Sequence, residues 1–103
     1  MRFYLLEKFI NLYDGYRRTF KIDQHQLLLL QENGERYLIE SLCPHRGHPL
    51  ETADVHNDVL RCPLHGYEFM LDSGRVRATT EAPCRALRRY ELVTRDTDLG
   101  VVL

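Results

Sequence analysis

Two short segments restrict the folds open to this 103-residue chain more than any other feature. They read Cys43-Pro44-His45-Arg46-Gly47-His48-Pro49-Leu50 and Cys62-Pro63-Leu64-His65-Gly66-Tyr67-Glu68-Phe69. Each supplies one thiol and one imidazole within four residues, as Cys-x-His in the first and Cys-x-x-His in the second, with residues 46–61 between them. Thiol and imidazole at such spacing are metal-ligand chemistry. The chain has three cysteines, an odd number that argues against a disulfide scaffold. Structural zinc sites are the competing reading, but they usually pair cysteine with cysteine and histidine with histidine, and the mixed pairs here fit them poorly.

Around these segments, turn signals recur at Asp14-Gly15, Asn33-Gly34, Asn57-Asp58, Ser73-Gly74 and Leu99-Gly100, with short runs rich in Tyr, Leu, Ile and Val between them. That rhythm predicts an all-β antiparallel sandwich or barrel in a single domain over residues 1–103. A hairpin is expected from Gln26–Gln31 and Glu35–Ser41 around Asn33-Gly34, a pair suited to the positive φ angles of a primed turn. Further strands are expected near Arg2–Leu6, Tyr16–Ile22, Val59–Leu60, Tyr67–Leu71, Arg75–Ala78, Arg88–Thr94 and Gly100–Leu103. The run Leu27–Leu30 suits a helix on propensity but is too short for periodicity to decide, and the flanking turn favours a strand. The two Cys/His segments interrupt the strand pattern as loops at about 42–50 and 61–67, where function on a β scaffold usually sits.

Composition sets outer bounds. Hydrophobic residues make up 44% and charged residues 28%, as in an ordinary globular protein. A formal net charge of −1 offers no global attraction to nucleic acid or to an acidic membrane surface. The four-leucine run is far short of the ~20 apolar residues of a spanning helix. Charges also interrupt the N-terminal apolar stretch too early for a signal peptide, so a cytoplasmic location is expected.

The Cys-x-His and Cys-x-x-His segments, with their Pro-His-Arg-Gly and His-Gly-aromatic flanks, resemble the Rieske iron–sulfur proteins, and most closely the soluble Rieske ferredoxins of bacterial oxygenase systems. The resemblance implies a small cluster-binding subdomain formed by the two loops and one two-iron two-sulfur cluster. In that family two thiolates hold one iron and two imidazoles the other. Carried over, Cys43 and Cys62 bind the inner iron, and His45 and His65 bind the outer one. Gly47 and Gly66 let the backbone turn sharply and bring amide donors close to sulfur. The implied function is one-electron transfer from a reductase to a terminal oxygenase, with no catalysis by this chain alone. A small Rieske-like subunit of a larger reductase complex, such as nitrite reductase, and a redox- or iron-sensing module are the alternatives.

Departures from the family narrow the expectation. Respiratory members carry an extra cysteine in each loop, joined as a disulfide; here those positions hold His48 and Leu64. Respiratory members also place a serine after the His-Gly pair and a tyrosine two residues later, both donating to sulfur; here these are Tyr67 and Phe69. His48 is expected to lie outside the ligand set. Arg46 is read either as a docking contact or as a solvated charge, and Cys84 as a structural thiol packed against the cluster loops. Arg75, Arg77, Arg85, Arg88 and Arg89, set against Glu81, form a basic stretch that reads either as exposed strand faces or as a docking surface for an acidic partner. With fewer donors to sulfur, the reduced state is less stabilised. Redox titration should place the midpoint near the low end of the range of roughly −150 to +300 mV for such centres. A midpoint well above about 0 mV would contradict the donor argument.

Overall fold

The computed structural model describes residues 1–103 as eleven strands and one 3-10 turn, Phe9–Asn11. The strands are β1 (Phe3–Lys8), β2 (Arg17–Ile22), β3 (His25–Glu32), β4 (Glu35–Glu40), β5 (Asp54–His56), β6 (Val59–Arg61), β7 (Glu68–Met70), β8 (Val76–Ala78), β9 (Arg89–Tyr90), β10 (Val93–Arg95) and β11 (Asp98–Val102). They form three sheets in the orders β1-β11-β10, β2-β3-β4-β9 and β5-β6-β7-β8, with every pairing antiparallel. The all-β expectation holds. No helix is long and apolar enough to cross a membrane.

The four-leucine run explains the layering. Successive side chains on a strand point to opposite faces. Leu28 and Leu30 enter a core shared with Ile39, Leu60, Phe69 and both loop cysteines, while Leu27 and Leu29 enter a second core with Leu6, Tyr16, Leu38 and Val101. All four are fully buried. β3 is thus the wall between two cores, which is why its sequence reads as a continuous apolar run rather than an alternating one. Each such burial contributes roughly 1.5–3 kcal/mol. The expected hairpin pairs Glu32 with Glu35 across Asn33 (φ 51°) and Gly34 (φ 76°), the two left-handed residues of a primed turn.

The strand pattern needs three corrections. The Leu99-Gly100 turn does not exist: both residues lie inside β11, and the chain reverses at Asp96, whose φ is 55°. A Cβ on Gly100 would sit 2.3 Å from the Tyr4 carbonyl oxygen and 2.5 Å from the Phe3 ring, so this glycine serves close strand packing rather than a turn. The single strand expected at Arg88–Thr94 is two, β9 on β4 and β10 on β11, because the chain passes from one sheet to another at Glu91-Leu92. β5 was not foreseen. Its three residues Asp54-Val55-His56 carry one apolar side chain, and only pairing with β6 across Asn57-Asp58 makes them a strand.

At the remote sheet, Glu7 follows a register shift in β1 that turns Leu6 into the core. Its carboxylate accepts hydrogen bonds from the Asn11 side chain (2.9 Å), the Lys8 amide (2.9 Å) and the Tyr16 hydroxyl (2.8 Å). These lower its pKa from 4.5 to about 2, the Asn11 bond contributing most. A carboxyl depressed on folding adds stability above its unfolded pKa and loses it as pH falls through the folded value. Glu7→Gln should therefore lower the melting temperature by a few degrees near neutral pH, with the difference from the parent shrinking as pH falls from 4.5 towards 2. Thermal melts across that range check it, and a gap that stays constant with pH would contradict it.

Candidate metal centre

The two Cys/His loops are built alike. In the first, the Cys43 amide donates to the His48 carbonyl (2.8 Å), and the Gly47 amide donates back to the Cys43 carbonyl (2.7 Å). In the second, the Cys62 amide donates to the Tyr67 carbonyl (2.8 Å), and the Gly66 amide donates back to the Cys62 carbonyl (2.9 Å). Gly47 and Gly66 both have φ 73°, a left-handed conformation that costs other residues roughly 1–2 kcal/mol. The first loop is pinned at its base by the Leu42–Pro49 bridge and by the Leu50 amide on the Ser41 carbonyl (2.9 Å). The second caps the β6–β7 hairpin, whose last pair is Arg61–Glu68.

This construction groups the donors by kind. Cys43 and Cys62 are each 2% exposed and lie in the same core cluster. Both are free thiols. Burial pushes the Cys43 thiol up to about 11, the neighbouring Cys62 thiol adds to that rise, and the backbone amides of His45 and Arg46, which donate to the Cys43 sulfur, pull the other way. His45 and His65 are each partly exposed as residues, although the His45 side chain itself keeps only 8% of its accessible surface; their ring centroids are 5.1 Å apart and their planes at 83°. The two thiols thus lie together in the core, and the two imidazoles lie together on the same pair of loops.

A third segment closes over the loops, and its part was not legible in the sequence. Glu81 Oε1 lies 2.9 Å from His45 Nε2 and 3.4 Å from Arg46 Nη2. Donor atoms of His45, His65 and Glu81 fall within 4.8 Å of one another. Thr80 Oγ1 donates to the His65 carbonyl (2.6 Å). Tyr67, fully buried, stacks on the His45 ring at 4.0 Å and 15°; its hydroxyl donates to the Ala82 carbonyl and accepts from the Glu81 amide. The hydroxyl of Tyr67 is thus engaged with residues 81–82. Glu81 carried no signal beyond being an acid among arginines, since only folding brings it to His45.

The remaining residues fall into place around this arrangement. His48 contributes its carbonyl to loop closure. Cys84 packs against the core that holds the two loop cysteines, its thiol raised by burial. The basic stretch is partly neutralised: Arg77 pairs with Glu68, and Arg85 donates to both Glu40 carboxylate oxygens at 2.6 and 2.7 Å. Arg75, Arg88 and Arg89 are exposed. Pro63 and Leu64 stand at the tip of the second loop, Leu64 54% exposed.

Comparison with known proteins bears on the same region. A family model described as the Rieske [2Fe-2S] domain matches residues 3–91. The ferredoxin component of the alkene monooxygenase system of Xanthobacter autotrophicus is 29% identical over 66 residues, 63% of this chain and 54% of that protein. Apoptosis-inducing factor 3 of Homo sapiens is 33% identical over 64 residues, 62% of this chain and 11% of that protein. The chain thus spans about half the length of the first of these relatives and about a tenth of the second. The ferredoxin of carbazole 1,9a-dioxygenase from Nocardioides aromaticivorans IC177 superposes with a TM-score of 0.79 at 24% identity, covering 98% of this chain and 97% of that one. The Sphingomonas yanoikuyae B1 ferredoxin gives 0.82 at 19% identity, covering 97% of each. At these identities the structural likeness is one of fold.

Tyr67→Phe keeps the ring against His45 but removes the hydroxyl that joins the second loop to residues 81–82. It should cost about 1–2 kcal/mol of stability and speed hydrogen exchange at the Glu81 amide. Denaturant unfolding and amide exchange check both, and an unchanged Glu81 amide would show that the hydroxyl does not hold this segment.

Proposed function

Because the chain belongs to the Rieske [2Fe-2S] family, we propose that it is a one-electron carrier, with its cluster held by Cys43 and Cys62 on the inner iron and His45 and His65 on the outer one. The observation that carries this reading is the paired donor set, in which equivalent loops bring two buried thiols into one core and two imidazoles within 5.1 Å of each other. Its donor chemistry fits the group: two thiolates and two neutral imidazoles balance two ferric ions and two sulfides at a formal charge near zero. When bound, such a cluster takes up and returns one electron, at a higher potential than an all-thiolate one.

The chain's own residues supply the rest. The amides of His45 and Arg46 stabilise negative charge on the Cys43 sulfur. The apolar core of Leu28, Leu30, Ile39 and Phe69 keeps water from the sulfurs. Exposed Pro63 and Leu64, which precede His65 in the second loop, form an apolar tip that a partner can cover. That tip makes the exit path for the electron short and its docking surface small.

We assign the partners as a reductase and a terminal oxygenase. The alkene monooxygenase ferredoxin component supports this, as do solved complexes between oxygenase and ferredoxin in carbazole 1,9a-dioxygenase, one of which contains a chain superposing at a TM-score of 0.82 and 19% identity. The whole of residues 1–103 acts as one domain in this reading, and the cytoplasm is its place of work. The chain has no catalytic site of its own and serves as a component of a larger oxidoreductase system.

Cys43→Ser and Cys62→Ser should each lose iron, acid-labile sulfide and visible absorbance, and should unfold more readily, because binding energy at a metal site is also folding energy. Metal analysis and absorption spectra check this; full cluster absorbance in either variant would overturn the ligand assignment. In a reconstituted chain of reductase, this protein and oxygenase, the parent should support turnover and the serine variants should not. Equal turnover with and without the parent protein would overturn the carrier role.

A further inference from the structure

The two imidazoles of the centre are not equivalent. His45 Nε2 meets the Glu81 carboxylate at 2.9 Å, whereas the His65 ring takes part in no ion pair. Glu81 is not a loose surface acid. Its amide donates to the Tyr67 hydroxyl (3.2 Å), that hydroxyl donates to the Ala82 carbonyl, and Thr80 fastens the segment to the second loop at the His65 carbonyl (2.6 Å). The Tyr67 ring, stacked at 4.0 Å on His45, restricts the imidazole from the side. Three separate contacts therefore bring one carboxylate onto one ring nitrogen. The Arg46 guanidinium, 3.4 Å from the same carboxylate oxygen, competes for its charge.

We propose that Glu81 is a positioning residue that acts through His45 to hold the reduction potential of the centre below the value its four ligands would give alone. The proposal rests on the reading that His45 is a ligand. With Nε2 engaged by Glu81, the other ring nitrogen is the one left for metal. The 2.9 Å approach is a charge contact, so the carboxylate acts on the ring through its field. A fixed negative charge on that imidazole opposes the arrival of an electron. Because Glu81 is 41% exposed, solvent screens part of the effect. The equilibrium concerned is the gain of one electron from an external donor; no bond in the chain forms or breaks. The asymmetry also gives the two outer ligands different roles, with His45 tuned by Glu81 and His65 free of any such partner.

The test is a mediated redox titration of the full-length, cluster-loaded protein beside Glu81→Gln, Glu81→Asp and Arg46→Gln, with iron and acid-labile sulfide measured on each. Glu81→Gln keeps the size and shape of the side chain but removes the charge, so at fixed ambient potential its ratio of reduced to oxidised protein should rise by about three- to tenfold. Glu81→Asp should restore part of the parent ratio. Arg46→Gln frees the carboxylate from its competing cation and should shift the ratio towards oxidised protein, which keeps the proposal testable if Glu81→Gln loads poorly. Glu91→Gln, an exposed acid between β9 and β10, is the control and should match the parent. A loaded Glu81→Gln with the parent's midpoint, or an Arg46→Gln shift towards reduced protein, overturns the role of Glu81 and leaves the cluster reading intact. Parent protein that holds neither iron nor sulfide after anaerobic reconstitution overturns both.

Discussion

Each loop is closed twice by its own backbone, once by the cysteine amide reaching the carbonyl five residues on and once by the glycine amide returning to the cysteine carbonyl. Those two bonds force the peptide into a tight arch, and the arch decides where the side chains go. The cysteine, at its root, turns inward to the core. The histidine, on its crown, stays near the surface. The glycine near the end of each arch adopts its left-handed turn at the lowest cost of any residue type. Because two loops obey the same rule, each offers one thiol and one imidazole in equivalent positions, and the mixed ligation proposed for the centre rests on local backbone chemistry rather than on any single side chain.

The loops hold this shape because of what lies beneath them. The two loop cysteines belong to the same packed cluster as Leu28, Leu30, Leu60 and Phe69, so the metal centre and one of the two hydrophobic cores form one unit. β3 transmits that order to the far side of the protein, since Leu27 and Leu29 on its opposite face organise the second core with Leu6, Tyr16 and Val101. With the two thiols as proposed ligands, retention of the cofactor is coupled to the stability of the whole middle layer.

Much of this was legible in the sequence. The Cys/His spacing picked out two loops that fold alike, with their thiols in one core and their imidazoles 5.1 Å apart, Asn33-Gly34 located the central hairpin, and short apolar runs between turn residues pointed to the fold class. What escaped notice depended on partners distant in the chain. β5 is a strand only because β6 lies beside it. Gly100 resembled a turn residue because nothing local reveals that Phe3 and Tyr4 press against it. Glu81 lies thirty-six positions from His45, and no periodicity links them; it reaches the ring because Tyr67 and Thr80 draw its segment over the loops. Tyr67 is the clearest case. From sequence it marked a missing donor to sulfur, whereas the fold uses it as a buried plate against His45 and an anchor for residues 81–82.

Mixed ligation is the claim on which the rest turns, and the electron paramagnetic resonance spectrum of the anaerobically reduced protein reports it most directly. Two thiolates on one iron and two imidazoles on the other predict a signal with a low average g value. A spectrum with the higher average g value of an all-cysteine cluster, or a silent sample that contains stoichiometric zinc, would contradict it.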